Sequence, residues 1–126
     1  MKLAGIDFGE KRVGLALSDD SGALAFPKGI LANDSEIIEK LLKIITEEKV
    51  EKIIFGLSQN AQGEDNPVMK KGREFAGELQ KISGVSVIFQ NESFSSVHAR
   101  MDNEKDIDAS AAALILQRYI DSQKHD

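Results

Sequence analysis

The sequence predicts a mixed α/β fold, a five-stranded sheet of three antiparallel strands followed by two parallel ones and flanked by helices. Two observations carry this. Three strand-like stretches come before any helical periodicity, and from residue 33 onward helical and strand-like stretches alternate. Lys52 to Leu57 is also a short apolar run of the kind found in parallel strands covered on both faces.

Residues 2–8 and 13–18 read as two strands joined by a tight turn around Gly9. Ala23 to Leu31 is a third, and its Pro27 and Gly29 suit an edge position. Asn33-Asp34-Ser35-Glu36 is a cluster of helix-capping residues, and behind it Ile37, Ile38, Leu41, Leu42 and Ile45 recur at the helical period. This predicts an amphipathic helix ending near Lys49. Lys52 to Leu57 is the fourth strand, and Ser58 to Asp65 a polar loop.

Asn66-Pro67 offers a cap followed by proline at the first helical position, with Val68, Phe75, Leu79 and Ile82 on one face and a stop at Gly84. Val85 to Phe89 is a β-branched and aromatic strand running into Asn91-Glu92-Ser93. Phe94, Val97, His98 and Met101 predict a short helix, ended by the charged run Asp102 to Asp106. The last helix is expected from Asp108 to Ser122, apolar on more than one face and therefore packed deep.

Composition narrows the class. At 126 residues and 41% hydrophobic, the chain is expected to form one domain over 1–126. With no cysteine, a disulfide framework and a thiolate metal site are both excluded, and a reducing compartment is the default. No apolar stretch approaches the roughly 20 residues of a spanning helix, and Asp7 and Glu10 interrupt the first apolar run, so a cytoplasmic protein with no membrane partner is expected. A net charge of −5 argues against a broadly basic surface for nucleic acid but leaves room for local basic patches.

Asp7 follows Leu3-Ala4-Gly5-Ile6 inside a strand, where an ionised carboxylate is costly unless a cation pairs with it. In a sheet of this kind, polar residues at the carboxyl ends of neighbouring strands converge on one crevice. Asp7 stands near the end of the first strand, Glu92 just past the end of the last, and Asp108 opens the final helix. Three acids sharing one sheet edge repel one another, and a hard divalent cation held by oxygen ligands relieves this. With no Cys or His in the set, Mg²⁺ or Mn²⁺ fits better than zinc. Such a constellation points to metal-dependent hydrolysis of a phosphodiester. Spacing alone leaves Asp108 equally explicable as a helix N-cap.

The stretch Gly5-Ile6-Asp7-Phe8-Gly9-Glu10-Lys11-Arg12-Val13-Gly14-Leu15-Ala16-Leu17-Ser18-Asp19 resembles the opening of the YqgF/RuvX family, RNase H-like proteins described as Holliday-junction-resolvase-like or pre-16S rRNA nucleases. Phe55-Gly56-Leu57 with Asn60 and Gly63 resembles that family's loop after the fourth strand, and Asp108 to Gln117 resembles its C-terminal helix. The resemblance implies an RNase H-like fold, Asp7, Glu92 and Asp108 as catalytic metal ligands, and processing of the 5′ end of the small-subunit rRNA precursor. It departs where the family has Asp-Glu-Arg-hydrophobic-Thr-Thr and this chain has Asn91-Glu92-Ser93-Phe94-Ser95-Ser96. Serine cannot reproduce the two parallel hydrogen bonds of an arginine on a phosphate.

Lys11 and Arg12, on the first turn, and Lys70, Lys71 and Arg73, on the second predicted helix, are the candidate nucleic-acid contacts; Lys11 and Arg12, next to Asp7, are the better candidates, and for the second group a solvated helix face is the leading reading. His98 is expected to be a packed side chain. The leading function is thus a nuclease acting on structured RNA, as a monomer or homodimer. A resolvase-like DNA endonuclease and a nucleic-acid-binding assembly factor that cleaves poorly are the alternatives.

Overall fold

The computed structural model describes residues 1–57, 67–91 and 109–123. Among these, five strands, β1 (Leu3–Phe8), β2 (Arg12–Ser18), β3 (Ala25–Ala32), β4 (Lys52–Leu57) and β5 (Ser86–Asn91), form one sheet in the order β3-β2-β1-β4-β5. β1 to β3 are antiparallel neighbours, and β4 and β5 join β1 in parallel. This is the predicted meander followed by parallel strands. Three helices accompany it, α1 (Ile37–Glu47), α2 (Pro67–Ser83) and α3 (Ala109–Ser122). The short helix expected after Ser93 and the loop Ser58 to Asp65 lie outside the described residues.

Strand alternation divides the core in two. Ala4, Ile6, Phe8, Val13, Leu15, Leu17, Ile53 and Phe55 point to the face covered by Ile37, Leu41 and Ile45 of α1 and by Met69, Ala76 and Leu79 of α2. Phe8, Phe55 and Phe75 meet there with ring centroids 5.1–6.3 Å apart. Leu3, Ala16 and Ile54 point the other way, against Ala112, Ile115, Leu116 and Ile120 of α3. The central strand β4 is sealed on both sides, with Ile53, Ile54 and Phe55 all at 0% exposure, which explains its unbroken apolar run.

Several expectations need correction. Ile82 is exposed, because the buried stripe of α2 runs through Met69, Gly72, Ala76 and Leu79, with Val68 and Phe75 at its margin. α3 buries one face, and Leu114 is exposed, so its apolar residues exceed what the sheet covers. The end of α1 agrees with the expectation near Lys49: the helix runs to Glu47, and Lys49, with a φ of 56°, reverses the chain. The polar run ahead of α1 is not a simple cap. Glu36 occupies the N-cap position without a side-chain bond, Asp34 Oδ1 accepts from Glu36 N, and Asn33 turns away to the β1–β2 connection. At the far end of α2, Gly84 has φ 74°, the left-handed termination that glycine adopts without strain.

Candidate metal centre at the carboxyl end of the sheet

Asp7 is 3% exposed, the one charged side chain among the described residues that is buried. It lies next to last in β1, opposite Gly14 of β2. Gly5 faces α3, so the two-residue period of the strand puts Asp7 on that face as well.

Where α3 sits follows from two glycines. A Cβ on Gly5 would stand 2.8 Å from Ala112 O and 2.8 Å from Leu116 Cβ, and one on Gly56 would stand 2.5 Å from Ile115 Cδ1. Only a strand stripped of side chains admits the helix this close. At its other end α3 reaches Leu3 and Lys52 through Tyr119, Ile120 and Gln123, which line a cavity of about 370 Å³ with them. The helix therefore runs from the carboxyl end of β1 towards its amino end. Asp7 is two strand residues beyond Gly5, roughly 7 Å, and Ala109 is three helical residues before Ala112, roughly 4.5 Å. The first turn of α3 is thereby brought towards the level of Asp7. Gln117 holds this placement from the side, accepting from Ala25 N at 2.9 Å and donating to Ala23 O at 3.3 Å.

β5 ends beside the same corner. Leu57 pairs with Asn91, and Ile6 with Phe55, so the last residues of β1, β4 and β5 finish along one edge. Glu92 and Asp108 themselves lie outside the described residues. The chain places them one residue after Asn91 and one residue before Ala109, each about 3.8 Å in Cα from its described neighbour.

The basic residues divide. Lys11, on the β1–β2 connection, and Arg12, the first residue of β2, are exposed. That connection is held by Asn33, which donates from Nδ2 to Gly9 O at 2.7 Å and from its backbone N to Lys11 O at 2.9 Å. Lys70 is exposed on the first turn of α2. Lys71 faces Glu10 at 3.8 Å, which sets the start of α2 beside the turn. Arg73 does something else: its guanidinium carbon lies 5.2 Å from the ring centroid of Phe89 on β5. Sequence reasoning missed Asn33, Gly5 and Gly56 as organisers of this edge. A polar run longer than one cap needs was the available signal for Asn33.

The architecture defines the class first: a β3-β2-β1-β4-β5 mixed sheet with helices on both faces is the RNase H-like fold. Two solved structures share it, Thermus thermophilus RuvC in complex with Holliday junction substrate, with a TM-score of 0.63 and 14% identity over 98% of this chain and 95% of that one, and fowlpox virus resolvase in complex with Holliday junction DNA, with a TM-score of 0.62 and 16% identity over 98% and 99%. The profile of the RuvX family, described as Holliday junction resolvase, matches residues 1–122. Proteins named "Putative pre-16S rRNA nuclease" from a Sulfurihydrogenibium strain and from Thermoanaerobacter pseudethanolicus are 32% and 33% identical, over 95% and 99% of this chain and 90% and 99% of theirs. The chain belongs to the RuvX family of resolvase-like nucleases. No helix among the described residues is long and apolar enough to cross a membrane.

Proposed function

We propose that residues 1–126 form one cytoplasmic nuclease domain that hydrolyses phosphodiester bonds of structured nucleic acid, with precursor 16S rRNA as the substrate and its 5′ end as the site of processing. The observation that supports this best is the buried carboxylate of Asp7 at the sheet edge where β5 ends and towards which α3 points its first turn. A charge so placed is tolerated when a cation shares the site.

Asp7, Glu92 and Asp108 would hold Mg²⁺ or Mn²⁺, since an all-carboxylate donor set suits a hard cation that keeps part of its water. When bound, such ions activate water and stabilise the leaving oxygen of a phosphodiester. Asp7 supplies the fixed point of the set, because its strand is held by neighbours on both sides. Asp108, which adjoins α3 in the chain, and Glu92, which adjoins β5, would complete it. Lys11, Arg12 and Lys70 bind backbone phosphates along the rim, and Asn33 keeps the Lys11–Arg12 turn in place for that contact. Ser93, standing where the family has arginine, leaves these lysines and Arg12 a larger share of substrate binding.

Cleavage of labelled precursor rRNA and of a four-way DNA junction, with Mg²⁺, Mn²⁺ or EDTA, tests the proposal in wild type and Asp7→Asn. Metal-dependent cleavage of the rRNA is expected in wild type, with a loss of at least about 100-fold in the variant, beyond the 10- to 100-fold typical of residues that only support a ligand. Preference for the junction would move the reading to DNA resolution. Absence of cleavage in both proteins would leave a binding factor.

A further inference from the structure

β5 is the outer strand of the sheet, and its Phe89 is 38% exposed beside α2. From within, the ring is seated edge-on against Phe55, with centroids 5.6 Å apart and an interplanar angle of 73°. From outside it carries the Arg73 guanidinium. Between the two elements lies a cavity of about 150 Å³ lined by Arg73, Ala76, Gly77, Gln80, Val87 and Phe89. Arg73, Gly77 and Gln80 follow at i, i+4 and i+7, one face of α2. A Cβ on Gly77 would meet nothing within 4 Å, so the helix wall is open there. Gln80 accepts from Val87 N through Oε1 at 2.8 Å, and its amide nitrogen is a donor.

We infer that the Arg73–Phe89 platform, with Gly77 and Gln80 at its rim, is a subsite that stacks one unpaired nucleobase of a nucleic-acid strand bound to this protein. The inference rests on the nuclease reading above. A phosphate would have no use for the aromatic ring, and an apolar ligand none for the guanidinium and the amide donor. A nucleobase uses all three, because it has a π-face for the ring and the guanidinium plane and in-plane acceptors for the amide. Phe89 packs on Phe55 and beside α2, on the face of the sheet opposite the one Asp7 shares with Gly5, so the stacked base belongs to a stretch of strand that passes outside the carboxylate edge. In a chain of net charge −5, stacking also supplies affinity that a broadly basic surface does not.

The test is binding of a single-stranded RNA of about eight nucleotides carrying one 2-aminopurine, within the usual site size for such strands, in EDTA so that no cleavage occurs. Wild type is expected to quench the 2-aminopurine fluorescence. Phe89→Leu is expected to lose the quench and to bind roughly 5- to 100-fold more weakly, the range for one lost stacking partner, while Phe89→Tyr retains both. Gly77→Leu, which fills the notch from a position with room for a side chain, is expected to lose the quench even if Phe89→Leu unfolds. Quenching unchanged in Gly77→Leu, or in a folded Phe89→Leu, overturns the subsite alone. Wild type that binds neither this RNA nor precursor rRNA overturns the nuclease reading with it.

Discussion

The face of the sheet under α1 and α2 is filled by large side chains, whereas the face under α3 sets two glycines, Gly5 and Gly56, among Leu3 and Ile54. On the first, Phe8, Phe55 and Phe75 interlock with Leu41, Met69 and Leu79. On the second, Gly5 and Gly56 let the helix settle almost onto the strands. Bulk stabilises the first face through the apolar area it removes from water. Closeness serves the second, because the nearer α3 lies to β1, the less freedom its first turn has relative to Asp7. Stability and site geometry are thus assigned to opposite faces.

Substitution on the filled face gives the largest expected effect. Phe55 is fully buried and touches three other phenylalanines. Phe55→Ala should cost about 3–5 kcal/mol in a urea titration, through lost burial and the cavity left behind. A cost under about 1 kcal/mol would mean that the aromatic cluster closes over the gap and the contrast between the faces is overstated.

Gly5→Ala comes next and acts in the opposite sense, by adding volume. Its new methyl group meets a backbone oxygen and a Cβ, neither of which can rotate away. The expected cost is about 3 kcal/mol, the upper end for overpacking. Metal affinity of the folded fraction, measured by Mn²⁺ titration, should fall as well. A loss of stability with unchanged affinity would separate the position of α3 from the centre.

Gly56 sharpens the distinction, because its close neighbour is the tip of a flexible side chain, Ile115 Cδ1. Gly56→Ala alone should cost about 1–2 kcal/mol. Ile115→Val removes the offending methyl group, so the double variant should be more stable than the sum of the two changes by about 1 kcal/mol, the coupling expected of residues in contact. Additivity in this cycle would place the clash elsewhere.

The filled face was readable from sequence, and the glycine seats of α3 on the other face were not. Ile37, Leu41 and Ile45, or Ile53 and Phe55, announce their burial by type and period. Gly5 and Gly56 carry no such signal, since a glycine in an apolar strand looks the same whether it marks a bulge, a bend or a helix seat. Ile82 and Leu114 mislead for a related reason: helical periodicity shows which side is apolar, not how far the neighbouring sheet extends. Asp7 was legible because a carboxylate in such a strand is costly without compensation. For Arg73, sequence gave the charge but not the ring of Phe89, which comes from an element 16 residues away along the chain (89 minus 73).

The rims of the two faces are fastened by polar groups whose responses to acid and salt should differ. Beside α3, the Asp19 carboxylate accepts from Ala23 N, Leu24 N and Ser21 Oγ, and these donors, Ala23 foremost, hold its pKa below the ordinary carboxylate value. Beside α1, Glu48 is held low chiefly by its 2.8 Å hydrogen bond to Lys2. Both groups bind a proton more weakly folded than unfolded. Each contribution is therefore complete above the unfolded pKa of about 4 and is lost as pH falls through the lower folded value. Between pH 6 and pH 2 the melting temperature of Asp19→Asn and of Glu48→Gln should decline less steeply than that of wild type. Salt then separates them, because about 0.5 M NaCl screens a solvated ion pair far more than hydrogen bonds from backbone amides. The difference in slope should shrink for Glu48→Gln and persist for Asp19→Asn. Equal shrinkage in both would show that the Asp19 loop is held by charge and not by the amides it faces.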